Sequence, residues 1–132
     1  QLVRSFLTPE QFTDILASAY HPSFDVTDDI REGYSRVLQV EDWEVGFLAL
    51  LAGGDPAQDT IDAEVFSTLE QPTLIIWGED DAWVPIEQGE VLRDLLPQAQ
   101  WVTLPQVGHL PMEEDVDGFN TALIRFLSGV TD

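Results

Sequence analysis

Two residues in this chain have the types and the surroundings needed to move a proton. Asp81 stands in Gly78-Glu79-Asp80-Asp81-Ala82-Trp83-Val84-Pro85, and His109 in Gln106-Val107-Gly108-His109-Leu110-Pro111. A carboxylate that accepts from one imidazole nitrogen fixes the ring's tautomer. It also stabilises the imidazolium formed when the other nitrogen takes a proton. An Asp–His pair of this kind is half of a device for activating a nucleophile. Taken singly, each residue has a plainer explanation: Asp81 as a turn acid ahead of a helix, His109 as a loop histidine bonded to backbone. Other constellations stay open beside the pair. Glu79, Asp80 and Asp81 form an acidic cluster that could hold Mg²⁺ beside a phosphate, and His109 and Glu113 have a spacing that Pro111 argues against as a helical metal pair. His21 reads as a helix-end histidine, and Trp83 as the aromatic to place beside a pocket.

The elements that must carry these loops can be read from periodicity. Pro72 is followed by the apolar run Thr73 to Trp77, closed by Gly78, and Trp101 to Leu104 is a second such run, closed by Pro105. Short apolar runs without alternation suit strands buried on both faces of a parallel sheet. Ile86 to Leu96 reads as a helix, with Ile86, Val91, Leu92 and Leu95 as its apolar positions and Pro97 as its stop. From Glu113 onward, Val116, Phe119, Leu123, Phe126 and Leu127 predict an amphipathic helix with Glu113, Glu114 and Asp115 in its first turn and Gly129 past its end. Strand, helix, strand, helix is the order of a parallel α/β sheet, where ligands meet the carboxyl ends of the strands. Both chemical loops leave those ends. Two strands are fewer than a free-standing sheet needs.

The first part of the chain has a different period. Thr8, Pro9 and Gln11 form a capping box with proline at the first helical position, and Phe12, Ile15, Leu16 and Ala19 fall on one face up to His21-Pro22. Thr27 with Asp28 and Asp29 starts a second helix with the stripe Ile30, Tyr34, Val37 and Leu38. A third is predicted from about Asp42 to Leu51, burying Trp43, Phe47, Leu50 and Leu51, with Gly53-Gly54-Asp55-Pro56 breaking it and a linker to Thr60.

Composition removes several classes of function. The chain has 132 residues, enough for one ordinary domain, and no cysteine, which excludes disulfides and thiolate chemistry. Its 25 acidic residues stand against 5 basic ones, all arginine, for a formal charge of −20. Such a surface repels phosphate backbones and anionic lipids, so neither nucleic acid nor membrane is an expected partner. The acidity itself fits a demand for solubility or a salty environment, or the steering of a cationic partner. The longest apolar run, Val45 to Ala52, is too short to span a bilayer, and no signal peptide is read at Gln1. A cytoplasmic protein is expected.

Pro72-Thr73-Leu74-Ile75-Ile76-Trp77-Gly78-Glu79-Asp80-Asp81, followed by Val84-Pro85, resembles the acid-bearing strand and loop of α/β-hydrolases. Val107-Gly108-His109-Leu110-Pro111-Met112-Glu113-Glu114, with an amphipathic helix ending in Phe126-Leu127, resembles the family's histidine loop and last helix. The resemblance covers about Ile61 to Gly129, and residues 1–60 resemble the helical cap that many members insert before this strand. It implies a fold: the C-terminal part of an α/β-hydrolase parallel sheet with flanking helices (61–132), preceded by a cap segment and linker (1–60) that lies as a lid over the strand ends. It also implies roles, with Asp81 as the acid of a catalytic triad and His109 as its base. Neither cofactor nor metal is implied, and the substrate would be a small molecule.

One part of the family pattern is not here. The nucleophile of these enzymes sits in a G-x-S-x-G elbow earlier in the chain than acid and base. None of Ser5, Ser18, Ser23, Ser35, Ser67 and Ser128 stands in that frame. The expectation is a hydrolase of ester-type or related bonds whose nucleophile comes from an upstream segment. The alternative is a non-catalytic fragment that binds or self-associates through an unpaired sheet edge, since an exposed strand edge is a template for pairing.

Overall fold

A computed structural model describes residues 8–53, 65–66 and 68–130. The predicted linker from Gly54 to Thr60, the boundary at Ile61 and Ser67 lie outside the described residues, as does Ser5. Residues 8–17 and 25–53 belong to one compact unit; residues 18–24 join 65–130 in a second.

The first unit holds helices, and no strand occurs among its described residues. Helix α1 is Pro9–Ala17. Its capping box forms as the sequence predicts, with the Gln11 amide donating to Thr8 Oγ1 (3.2 Å) and the Thr8 amide to Gln11 Oε1 (2.9 Å). Helix α2, Asp28–Ser35, begins at Thr27, whose side chain accepts from the Ile30 amide. A 3₁₀ turn, Arg36–Gln39, and helix α3, Trp43–Gly53, complete the unit. Gly53 ends α3 within the helix rather than beyond it.

The stripes predicted for the first two helices are only partly covered, and the side chains of Leu50 and Leu51, expected to be buried by the third, lie outside those described. Ile15 and Val37 are about half exposed, at 50 % and 47 %, and no hydrophobic side chain described in this unit is fully buried. Three short helices with few neighbours offer each stripe too little partner surface to cover it.

The second unit is the α/β part. Strands β1 (Leu74–Gly78) and β2 (Gln100–Leu104) pair in parallel, with Ile75 opposite Trp101 and Gly78 opposite Leu104. Side chains alternate between the two faces of a strand pair. Helix α4, Ile86–Leu95, packs on the face that carries Trp77 and Trp101. There Gly89 has no side chain because a Cβ would come within 2.7 Å of the Trp77 ring and 2.8 Å of Trp101. The two indoles stack at 6.1 Å, and Arg93 lies 5.6 Å from the Trp101 ring. The opposite face, with Ile76 and Val102, meets the last helix. The core is Ala19, Tyr20, Ile75, Leu96, Leu104 and Val107.

The strands are less buried than their apolar runs predict. Leu74, Ile76 and Trp77 are only partly covered, because among the described residues the sheet has two strands.

The C-terminal helix differs from its expectation. The chain forms a short helix α5, Pro111–Glu114, breaks at Asp115, and restarts as α6, Val116–Val130, with Gly129 inside it. The break has a local cause. Asp115 turns its carboxylate onto the Gly118 amide (2.9 Å) and caps α6, so it lies before that helix rather than in its first turn. Among the described residues, no helix is long and apolar enough to cross a membrane.

Candidate active site

Two glycines let the chemical loops meet. A Cβ on Gly78, the last residue of β1, would sit 2.1 Å from the Gly108 carbonyl oxygen. One on Gly108 would sit 2.5 Å from the Ala19 carbonyl oxygen. Backbone packs on backbone at both places, and only glycine leaves the room. The loops then stay paired beyond the strands, with the Glu79 amide donating to the Leu104 carbonyl and the Asp80 amide to the Val107 carbonyl, each at 3.0 Å. The turn after β2 places Gln106 in the left-handed region, at φ 59°, a conformation that costs a non-glycine residue about 1 kcal/mol.

This framework brings Asp81 and His109 together. His109 Nδ1 lies 2.9 Å from Asp81 Oδ2. The second carboxylate oxygen, Oδ1, accepts from the backbone amides of Trp83 (2.9 Å) and Val84 (2.8 Å). Asp81 is buried, its side chain only 5 % exposed, whereas the His109 side chain keeps 34 %. An ionised carboxylate can only accept, so Nδ1 carries the proton, and in the neutral ring it is Nε2 that holds the lone pair. A buried, fully bonded carboxylate thus fixes the tautomer of an accessible imidazole whose free nitrogen can act as a base.

Trp83 stands beside this pair, its ring centroid 5.4 Å from that of His109 and its Nε1 donating to Ser18 Oγ at 3.0 Å. Ile76, Trp77, Val84, Pro111, Met112 and Phe119 line a cavity of about 200 Å³ with Asp81 and His109 in its wall. Its lining is almost wholly apolar.

The remaining sequence candidates go elsewhere. Asp80 points to His21, with Oδ2 3.6 Å from Nε2, and His21 Nδ1 lies 2.7 Å from Ser23 Oγ. Glu113 accepts from the Tyr20 hydroxyl at 2.6 Å rather than sharing a ligand with His109. Among the described residues, no three His, Cys, Asp or Glu side chains gather where a metal ion could be held.

Sequence reasoning missed the segment Ser18–Phe24 and the role of Glu114. The predicted first helix would run through Ala19, but it stops at Ala17, and the next residues lie against the histidine loop. The Ala19 carbonyl accepts the His109 amide at 2.7 Å. Glu114, read as a first-turn acid answering a helix dipole, instead accepts from the amides of Gly108, Leu110 and His21. A signal for half of this was present. A glutamate near the start of a helix commonly reaches back to the amide before it, and Pro111 marks that start. The contact with His21 had no local signal.

The chain belongs to the alpha/beta hydrolase fold family, whose model matches residues 5–116. It is 30% identical over 112 residues to an uncharacterized hydrolase, YugF, of Bacillus subtilis, covering 85% of this chain and 40% of that protein. A 2-hydroxy-6-oxononadienedioate/2-hydroxy-6-oxononatrienedioate hydrolase of Cupriavidus pinatubonensis is 32% identical over 103 residues, 77% of this chain and 35% of the relative. Among solved structures, a serine hydrolase involved in carbazole degradation superposes with a TM-score of 0.77 at 25% identity, over 92% of this chain and 47% of that one. The chain therefore spans less than half the length of these relatives.

Proposed function

We propose that this chain supplies the acid, Asp81, and the base, His109, of a hydrolase triad whose nucleophile lies outside these 132 residues. The observation that supports it is the 2.9 Å contact between Nδ1 and Oδ2, with Asp81 itself held by two backbone amides. In this arrangement His109 Nε2 takes the proton of the attacking hydroxyl, Asp81 stabilises the imidazolium, and the same proton is returned to the leaving group. The bond class is ester-type or a related bond. The name of the Cupriavidus relative, a hydrolase of 2-hydroxy-6-oxononadienedioate, brings oxo-acids into the range of substrates. The apolar wall beside His109 favours an uncharged, apolar group at that point of the substrate. Residues 1–60 would serve as the helical cap.

The test is to add a nucleophile-bearing α/β-hydrolase segment, in cis or as a separate chain, and follow p-nitrophenyl acetate hydrolysis. The chain alone should not exceed free histidine, because the parts of a triad act as a unit. The completed protein should turn over, and His109→Ala should remove most of the activity. If the completed protein is inert towards esters, thioesters and epoxides alike, and His109→Ala changes nothing, the non-catalytic role in binding through the sheet edge takes its place.

A further inference from the structure

The geometry points to Glu114 as the residue that positions His109, by binding the backbone on both sides of it with one carboxylate; the inference rests on His109 being the base. Oε2 accepts from the Gly108 amide (2.9 Å) and Oε1 from the Leu110 amide (3.1 Å), one residue before and one after the histidine. The amide between them, that of His109, donates to the Ala19 carbonyl. Three successive amides of the loop are thus spoken for. Oε2 also accepts from the His21 amide at 2.8 Å, which ties Ser18–Phe24, the segment that holds Ala19, to the same carboxylate.

This is more than a helix cap. A cap at the start of α5 would need only the Leu110 amide, and the side chain three residues into the helix, Glu113, is bonded to Tyr20 instead. Glu114 reaches past the helix to the residue before the histidine and to a segment distant in sequence. Bonds from amides to an ionised carboxylate are roughly twice as strong as neutral ones. The loop has a further reason to need them: Gly108 has no side chain to anchor it, and Gln106 just before it is in the left-handed region. A histidine must hold its ring against Asp81 to within a few tenths of an ångström to keep a bond of 2.9 Å. Asp81 is fixed by its own amides, so the freedom left in the pair is that of the histidine loop.

The experiment is NMR of this chain labelled with ¹⁵N and ¹³C. Scalar couplings across hydrogen bonds should link the amide nitrogens of His21, Gly108 and Leu110 to the one Glu114 carboxyl carbon. In Glu114→Gln, one carboxamide oxygen cannot serve three amides. The His109 Nδ1 proton should then exchange about tenfold faster with water, while the strand amides of Ile75 and Val102 keep their protection. Glu113→Gln should leave the His109 signal unchanged. Absence of those couplings, or an unaltered Nδ1 proton in folded Glu114→Gln, would overturn the assignment. If that variant does not fold, the couplings in the unaltered chain decide. No hydrolysis enters the measurement: an inert completed enzyme would remove the proposed function and leave this result intact, and missing couplings to Glu114 would leave the Asp81–His109 pair standing.

Discussion

The helical unit and the α/β unit of this chain are built by different means. In the first, the helices start where their local signals say, at Thr8 and Thr27, yet Ile15, Val45 and Leu48 stay 50 %, 62 % and 47 % exposed. In the second, Leu104 and Val107 are buried to 6 % and 2 %, and two glycines allow backbone to lie directly on backbone. The Asp81–His109 pair and the residues bonded to it belong to the second unit. The contrast shows what a bonded Asp–His pair on two separate loops requires: both loops must be fixed to fractions of an ångström, which a packed core provides. A helix that depends on its own caps has no such precision to lend.

Gly78→Ala should have the largest effect and would sharpen the contrast. The added methyl meets the Gly108 carbonyl at 2.1 Å, so the strand end and the histidine loop must part. We expect a loss of about 3 kcal/mol in denaturant unfolding, with the His109 Nδ1 proton no longer seen by NMR. A variant as stable as the parent, with that proton intact, would show that the close approach is not needed.

A matched pair of truncations tests the comparison next. Leu104→Ala should cost about 2–3 kcal/mol, since it empties a buried site at the end of β2. Leu48→Ala, in the exposed part of α3, should cost about 0.5 kcal/mol or less. Equal losses from the two would mean that the helical unit carries as much packing as the α/β unit, and the distinction would fall.

The smallest effect belongs to the start of α1. Bonds from its own backbone amide, and then from Thr8, hold the Glu10 carboxyl below the usual glutamate value. A carboxyl lowered by folding adds stability above its unfolded pKa, and that contribution is lost as the pH falls through the lower, folded value. Acidification through this range should therefore loosen the first turn of α1. Amide exchange at Gln11 and Phe12 should rise, by less in Glu10→Gln, where no charge is left to lose. Equal acid sensitivity in the two proteins would put the effect elsewhere.

The sequence by itself determined a good deal of this. The capping box at Thr8, the cap at Thr27, the two strands and the helix from Ile86 are all local patterns. Each depends on neighbours within a few residues, which is why each can be read from a string of letters. The pairing of Asp81 with His109 was also within reach, because consecutive parallel strands must set their carboxyl-end loops side by side. What the sequence could not supply was any contact whose partners are far apart and unmarked. Nothing local says that the helix begun at Pro9 stops at Ala17 so that the Ala19 carbonyl can meet His109. Nor does anything local say that Glu114 binds three amides, one of them that of His21. Whether an amphipathic stripe is covered was likewise undecided, since periodicity shows which face is apolar but not whether a neighbour exists to bury it. Those were settled only by tertiary structure, because hydrogen bonds and burial depend on distance in space, which sequence separation does not fix.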